Sequence, residues 1–442
     1  MKALKRMGII LLGCALVLSV VTGCSKGKKS ASGADKKVYT YTRGETPVEL
    51  TFWTSTVDDV NAELVKNFNE TKGKELNIHV NVEFQGSYWD MQKKINAAAV
   101  AGTLPNAFID EVSMTRGFAE NNIIEDLSPF IDANNIDTQD FEIGDQGNLY
   151  YEGDRYAYPH MRSVPVMYVN KLLVEKLGLS AEGPKTFDEL ETYLQTCYSV
   201  TGQPGMYIFN YDLWVMEALL HSFSDVSVLN EDETKTNINS DGAVALVEYM
   251  DRLQEKGYIK ILNITDSDSF YAALAKPTTA LTFTSIGGYI VFSNMAKQAN
   301  GVINVSMIPS GTEGTRGVPV GGSNTFLSNT GSDNEKAAAF QFLTWLTAPA
   351  QSAYASAKTG YLPTSVKAYD EDIMKQTVAA YPGFKVAFDE LQYCKMRPTI
   401  GSYHEIEDLM CSKINQIWLD NLPVKESLDK LAADVDDILS RD

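Results

Sequence analysis

Apolar and polar residues alternate where the chain first shows regular structure: Val48, Leu50 and Phe52 share one side, with polar neighbours between them. Such a two-residue period marks a half-buried strand. The period then lengthens, and Val57, Val60, Leu64, Val65 and Phe68 recur at helical spacing. Ile78, Val80, Val82 and Phe84 restore strict alternation, and a second helix is predicted from Tyr88 to Ala101, closed by Gly102. Phe108-Ile109 is a short apolar run read as a third strand. Strand–helix–strand–helix–strand predicts an α/β fold opening with a parallel sheet. Ligands of such sheets bind at the carboxyl ends of strands, which singles out the loops after Phe52, Phe84 and Ile109.

Further along, Pro165 to Val169 reads as a strand, followed by a helix from Lys171 to Leu177. Thr186 and Glu189 have the spacing of a capping box for a helix running to Cys197, and Ser332 and Glu335 repeat it before Phe340, Leu343 and Trp345. Ser240 caps a helix with Val244, Val247, Met250 and Leu253 inward, stopped by Gly257. Ala280 to Thr284 reads as a strand leading into the turn Ser285-Ile286-Gly287-Gly288. The C-terminal region is helical, with stripes at Leu409, Ile414, Ile417 and Trp418, then Leu428, Leu431, Val435 and Ile438. Val48 to Asp442 is too long for one core, since single cores stop growing at ~250–300 residues; two lobes are expected.

The N-terminus changes the picture. Lys2, Lys5 and Arg6 precede an apolar run from Met7 to Val21 that is short for a membrane span, the pattern of an export signal. Val21-Thr22-Gly23-Cys24 resembles the bacterial lipobox. That resemblance implies cleavage after residue 23 and acylation of Cys24, for example by palmitate, each buried methylene adding ~0.8 kcal/mol of membrane affinity. An uncleaved anchor is the alternative. Residues 24–46 are polar and basic without Leu, Ile or Phe, and read as a flexible stalk. No later segment approaches the apolar length of a span.

A hydrophobic fraction of 44% suits a globular chain. Formal charge is -19, and removal of the three cations in residues 1–23 makes the mature chain more acidic still, which argues against nucleic-acid binding. Beyond Cys14 and Cys24 there are three cysteines, Cys197, Cys394 and Cys411, leaving open a Cys394–Cys411 bridge or buried free thiols. His79, His160, His221 and His404 are scattered without ligand spacing, so neither a metal nor a cofactor is expected. There is no GxxxxGK[ST] run for ATP and no GxSxG elbow for a hydrolase.

The stretches LTFWTS, NIHVNVEFQGSYWDMQKKINAAAVAGTLPNAFIDE, FAENNIIEDLSPFI, SVPVMYVNKLL, ALTFTSIGGYI, VGGSNTFLSN and KTGYLPTSVKAYD, in this order, together resemble the family 1 extracellular solute-binding proteins of ABC importers, across essentially the whole mature domain. The resemblance implies a two-lobed periplasmic-binding-protein-like fold with crossing hinge strands, the ligand enclosed between lobes, and no catalysis. Residues 47–163 and 281–331 are then expected in the N-terminal lobe, and 164–280 and 332–442 in the C-terminal lobe. Expected partners are a small solute, two permease subunits and the membrane through Cys24. A monomer on the outer face of the cytoplasmic membrane is the expected form.

Within the family the chain is similar to the glycerol-3-phosphate-binding branch. That similarity implies a pocket of Tyr88, Glu111, Ser163, Ser285, Gly321 or Gly322, Tyr361 and Arg397, with Tyr211 and Trp214 as an aromatic pair. The loop before Glu111 is one residue short of the family pattern, so Asp110 is an alternative carboxylate. Arg397 offers a fixed planar donor pair for a phosphate ester or carboxylate, against the plainer role of a salt bridge. Ser285 heads a Gly-rich turn suited to anions, and Gly321-Gly322 permits close backbone approach or serves a hinge. The aromatic residues suit a glycerol or sugar face, or simply the core; Trp53 and Trp89 are further strand-end candidates. The expected cargo is sn-glycerol-3-phosphate or a glycerophosphodiester, with an oligosaccharide as the alternative. A lipid-anchored hydrolase is the reading from a different class.

Overall fold

The computed structural model describes residues 37–441, except 142–146, 210–212, 275–277 and 312–313. The expected export signal, Cys24, most of the expected stalk and Tyr211 therefore lie outside the described residues. Two five-stranded sheets organise the rest. The first has the order Ile78–Phe84, Val48–Thr54, Ala107–Glu111, Gly321–Leu327, Ala157–Ser163. Its first three strands are parallel, and Gly321–Leu327 runs antiparallel to both of its neighbours, Ala107–Glu111 and Ala157–Ser163. The second runs Ile303–Ser306, Pro165–Asn170, Leu281–Ser285, Met206–Ile208, Ile259–Ile261.

Each sheet has its own core, which gives the expected two-lobed α/β fold. Phe52 and Phe68 of the first core meet Phe342 edge-on at 4.9 and 5.0 Å between ring centres. The second core takes the long C-terminal helices Tyr403–Asp420 and Val424–Leu439, through Ile406, Met410, Ile414, Leu428, Leu431 and Val435.

Several details correct the sequence reading. Leu281–Ser285 pairs antiparallel with Pro165–Asn170, as does Ile303–Ser306, so residues 281–306 sit with the second sheet and not the first. The helix Asp333–Leu346, expected in the C-terminal lobe, buries Phe340, Phe342, Leu343 and Leu346 in the first core. The chain thus crosses between sheets at Val164, between Ser306 and Gly321, and again after the helix Pro349–Thr359. The two hinge strands, Ala157–Ser163 and Gly321–Leu327, escaped notice because every residue in them is buried, which removes the alternation that betrays a strand. Ser332 and Glu335 form a complete capping box, but at Thr186 only one arm exists: the Glu189 carboxylate takes the Lys185 N–H instead. Cys394 and Cys411 are not joined by a disulfide, so the bridge left open from sequence does not form. Among the described residues no helix is long and apolar enough to cross a membrane.

Candidate functional site

The three parallel strands of the first sheet end on one side of the molecule. The loops beyond them bring Thr56, the turn Ser87-Tyr88-Trp89 and Glu111 to a cavity of about 370 Å³. Ser87 is held there by a capping box with Asp90 that opens the helix Tyr88–Ala101. The hinge supplies Ser163, Gly321 and Gly322, while Trp214, Ser285, Tyr361, Arg397 and Glu407 arrive from separate segments. The cavity therefore unites the expected Tyr88, Glu111, Ser163, Trp214, Ser285, Gly321, Gly322, Tyr361 and Arg397. Tyr211 is outside the described residues. Glycine at 321 leaves room for the Trp214 ring, since a Cβ there would stand 2.6 Å from it and force the indole to shift. The indole lies on bare backbone, its Nε1 donating to the Val320 carbonyl at 3.3 Å.

The alternative carboxylate, Asp110, does not line the cavity. It is fully buried, and burial pushes its carboxyl well above the usual range. Glu111 faces the cavity as the strand's alternation requires, its Oε2 accepting the Ser113 N–H at 2.8 Å. Trp53, a candidate from sequence, points the other way; its Nε1 donates to Glu83 at 2.9 Å on the outer surface. Trp89 does line the cavity. Tyr88 and Tyr361 remain neutral phenols, since burial raises both well past neutrality and their proximity adds to it in Tyr88.

Arg397 is placed differently from a free anion clamp. Its Nε and Nη2 donate to Glu217, at 3.1 Å to Oε2 and 2.8 Å to Oε1, and Nη1 donates to Glu111 Oε1 at 3.2 Å. Nη2 also donates to Glu407, and Tyr403 donates its hydroxyl proton to Glu217. The guanidinium side chain is 4% exposed and Glu217 2%. Burial alone would depress the guanidinium pKa, but Glu217, Glu407 and Glu111 outweigh it and raise the pKa well above its ordinary value. Sequence reasoning missed Glu217 and Glu407. Glu217 left a signal, a lone acid inside the apolar helix segment LWVMEALL; Glu407, in the mixed run HEIEDLM, left none.

Contacts from lobe to lobe surround the cavity. Glu111 meets Arg397 as above. Glu233 accepts from Arg116 at 3.2 Å and from the Thr399 N–H at 3.0 Å. Trp89 stacks on His404, with ring centres 3.3 Å apart and planes 24° from parallel. Burial, then the charges of Lys93 and Arg397, lower the His404 pKa to about 4, while Glu407 lies 3.7 Å from its Nδ1. Separating the lobes would uncover the imidazole and let its pKa rise back toward the ordinary ~6.5. A closed form would then favour the neutral ring, its stabilisation complete above pH ~6.5 and lost as pH falls toward 4. Solute affinity at pH 5.5 is expected to be about tenfold weaker than at pH 7.5. Titration calorimetry at both pH values would check this, and His404→Phe, which keeps the stack, should flatten the dependence.

Comparison with known proteins matches this architecture. A profile of the bacterial extracellular solute-binding proteins matches residues 63–385. The chain belongs to this family. The sn-glycerol-3-phosphate-binding periplasmic protein UgpB of Yersinia enterocolitica is 24% identical over 418 residues, covering 89% of this chain and 92% of that protein. UgpB from Mycobacterium tuberculosis, in complex with glycerophosphocholine, superposes with a TM-score of 0.79 at 22% identity, covering 90% of this solute-binding protein and 99% of that chain. The sugar-binding protein MalE from Xanthomonas citri gives 0.76 at 18% identity, over 89% and 98% of the two chains. Like these, the solute-binding protein has two lobes, and its type serves ABC importers together with permeases.

Proposed function

We propose that this solute-binding protein captures a glycerophosphate-type solute for import and catalyses no reaction on it. One observation carries the reading: segments as distant as Thr56, Ser285 and Arg397 converge on a single cavity of about 370 Å³, a size suited to a small solute. Thr56, Ser87, Gln92, Ser163 and Ser285 supply uncharged donors and acceptors for hydroxyl groups, and four aromatic side chains line the same cavity. The similarity to UgpB proteins favours a glycerol phosphate or its diester. In this reading Cys24 tethers the chain to the outer face of the membrane, residues 24–46 form the tether, and a monomer delivers solute to two permease subunits. Ligand drives closure only by its extra affinity for the closed form; moving from 1:99 to 99:1 takes ~5.5 kcal/mol of that difference.

A saccharide is the second reading, favoured by Trp89, Trp214, Tyr88 and Tyr361 around the cavity. Calorimetry with glycerol-3-phosphate, glycerophosphocholine and a sugar panel separates the two. Small-angle scattering should show compaction with the ligand that binds. Heat from sugars alone would replace the first cargo by the second, and turnover of a phosphodiester or glycoside would remove both.

A further inference from the structure

Arg397 is the only Lys or Arg among the described residues lining the cavity, which also contains Glu111 and Glu407. Glu217 stands directly behind it. One formal positive charge thus faces three formal negative charges, all in contact with it. Four of the five guanidinium hydrogens already have carboxylate acceptors. On the far side of Arg397 a second cavity of about 610 Å³ carries Asp225, Glu231 and Glu233, where Lys395 pairs with Asp225 and Arg116 with Glu233. A phosphate monoester near pH 7 is close to a dianion, and bringing it here would set two more negative charges against an over-neutralised arginine. A diester carries one negative charge, and an ammonium on its other arm cancels it.

The cavity wall favours such an ammonium. Trp89, Trp214, Tyr88 and Tyr361 line it together with Glu111 and Glu407, and aromatic rings beside carboxylates are the combination that attracts a desolvated cation. Resting on the cargo reading above, we infer that Glu217 and Glu407 are specificity-determining residues. By occupying Arg397 and outweighing its charge they exclude dianionic phosphate monoesters and admit a glycerophosphodiester bearing a cationic head. Arg397 keeps one hydrogen for the ester or glycerol oxygen, and the carboxylates hold the head.

The test uses the mature chain and two probes, sn-glycerol-3-phosphate and glycerophosphocholine, in calorimetry at pH 7.5. The wild type should bind the diester at least about tenfold more tightly. Glu407→Gln, nearly isosteric, should strengthen monoester binding about tenfold and weaken the diester about tenfold. Glu217→Gln should change the ratio in the same direction, and Glu191→Gln, on a distant surface ion pair, should leave it unchanged. Equal or tighter monoester binding by the wild type would overturn the inference, as would both probes moving by one common factor in the variants. Binding of neither ester, with heat from sugars only, would show that the cargo reading itself had failed.

Discussion

Replacing Arg397 by alanine is expected to cost about 3–5 kcal/mol of folding stability and to abolish solute binding. The reason lies less in the arginine than in what it leaves behind. Glu217 and Glu407, 2% and 8% exposed, and the partly buried Glu111 would lose the charge that holds them together. A buried ion pair contributes little relative to an apolar substitute, whereas breaking one strands an unpaired charge at full desolvation cost. The loss should also have a distinctive pH dependence. Without the guanidinium, mutual repulsion and burial raise the carboxylate pKa values in the folded variant above those of the unfolded chain. The folded variant then binds more protons than the unfolded chain, so its deficit shrinks as pH falls from 7.5 toward 5. Urea denaturation followed by tryptophan fluorescence at those two pH values would show it. Arg397→Lys restores a charge without the forked geometry and should recover only part of the loss. An alanine variant as stable as the wild type at pH 7.5 would mean the carboxylates are not enclosed as described.

This network also shows where sequence reading stops. Val48–Thr54 and Ile78–Phe84 were legible because each leaves one side partly exposed, so alternation survives. The hinge strands are buried throughout, and Arg162 and Asn324 sit among the apolar residues, bonded to each other at 2.7 Å. Nothing local distinguishes them from a loop. Trp53 was misplaced for want of register: Phe52 lies in the first core, so Trp53 takes the other face of the sheet and packs beside Met91, Ile95 and Phe108. The family resemblance led to nine residues that line one cavity. It did not lead to the acids around Arg397. Glu217 lies 180 positions away in the chain, and only the packing of the helix Leu213–Ser224 against the Arg397 segment joins them. A residue type is visible in sequence, but the charge state of its surroundings is a property of the fold.

The hinge itself yields the other large effect. Gly322→Ala should destabilise the protein by about 3 kcal/mol or more. Gly322 has φ +105, and a Cβ built there would stand 2.2 Å from the Met161 carbonyl oxygen. Because the clash is with backbone, no side chain can swing aside to relieve it. Gly322 pairs with Arg162 on the neighbouring hinge strand, just before the register shift at Ser323/Asn324. Relief would spread the two strands and loosen the Arg162 bond to the Ser323 carbonyl, now 2.7 Å. Gly102→Ala separates strain from clash: its φ is +69, but nothing lies within 4 Å of the added carbon. That variant should lose only about 1 kcal/mol, the ordinary cost of a left-handed alanine. Since Ser163 and Gly321 sit on the same pair of strands and line the cavity, Gly322→Ala should also weaken solute binding, whereas Gly102→Ala should not. Equal denaturation midpoints for the two variants would show that the hinge strands can part without penalty, and opening of the lobes would then have to bend elsewhere.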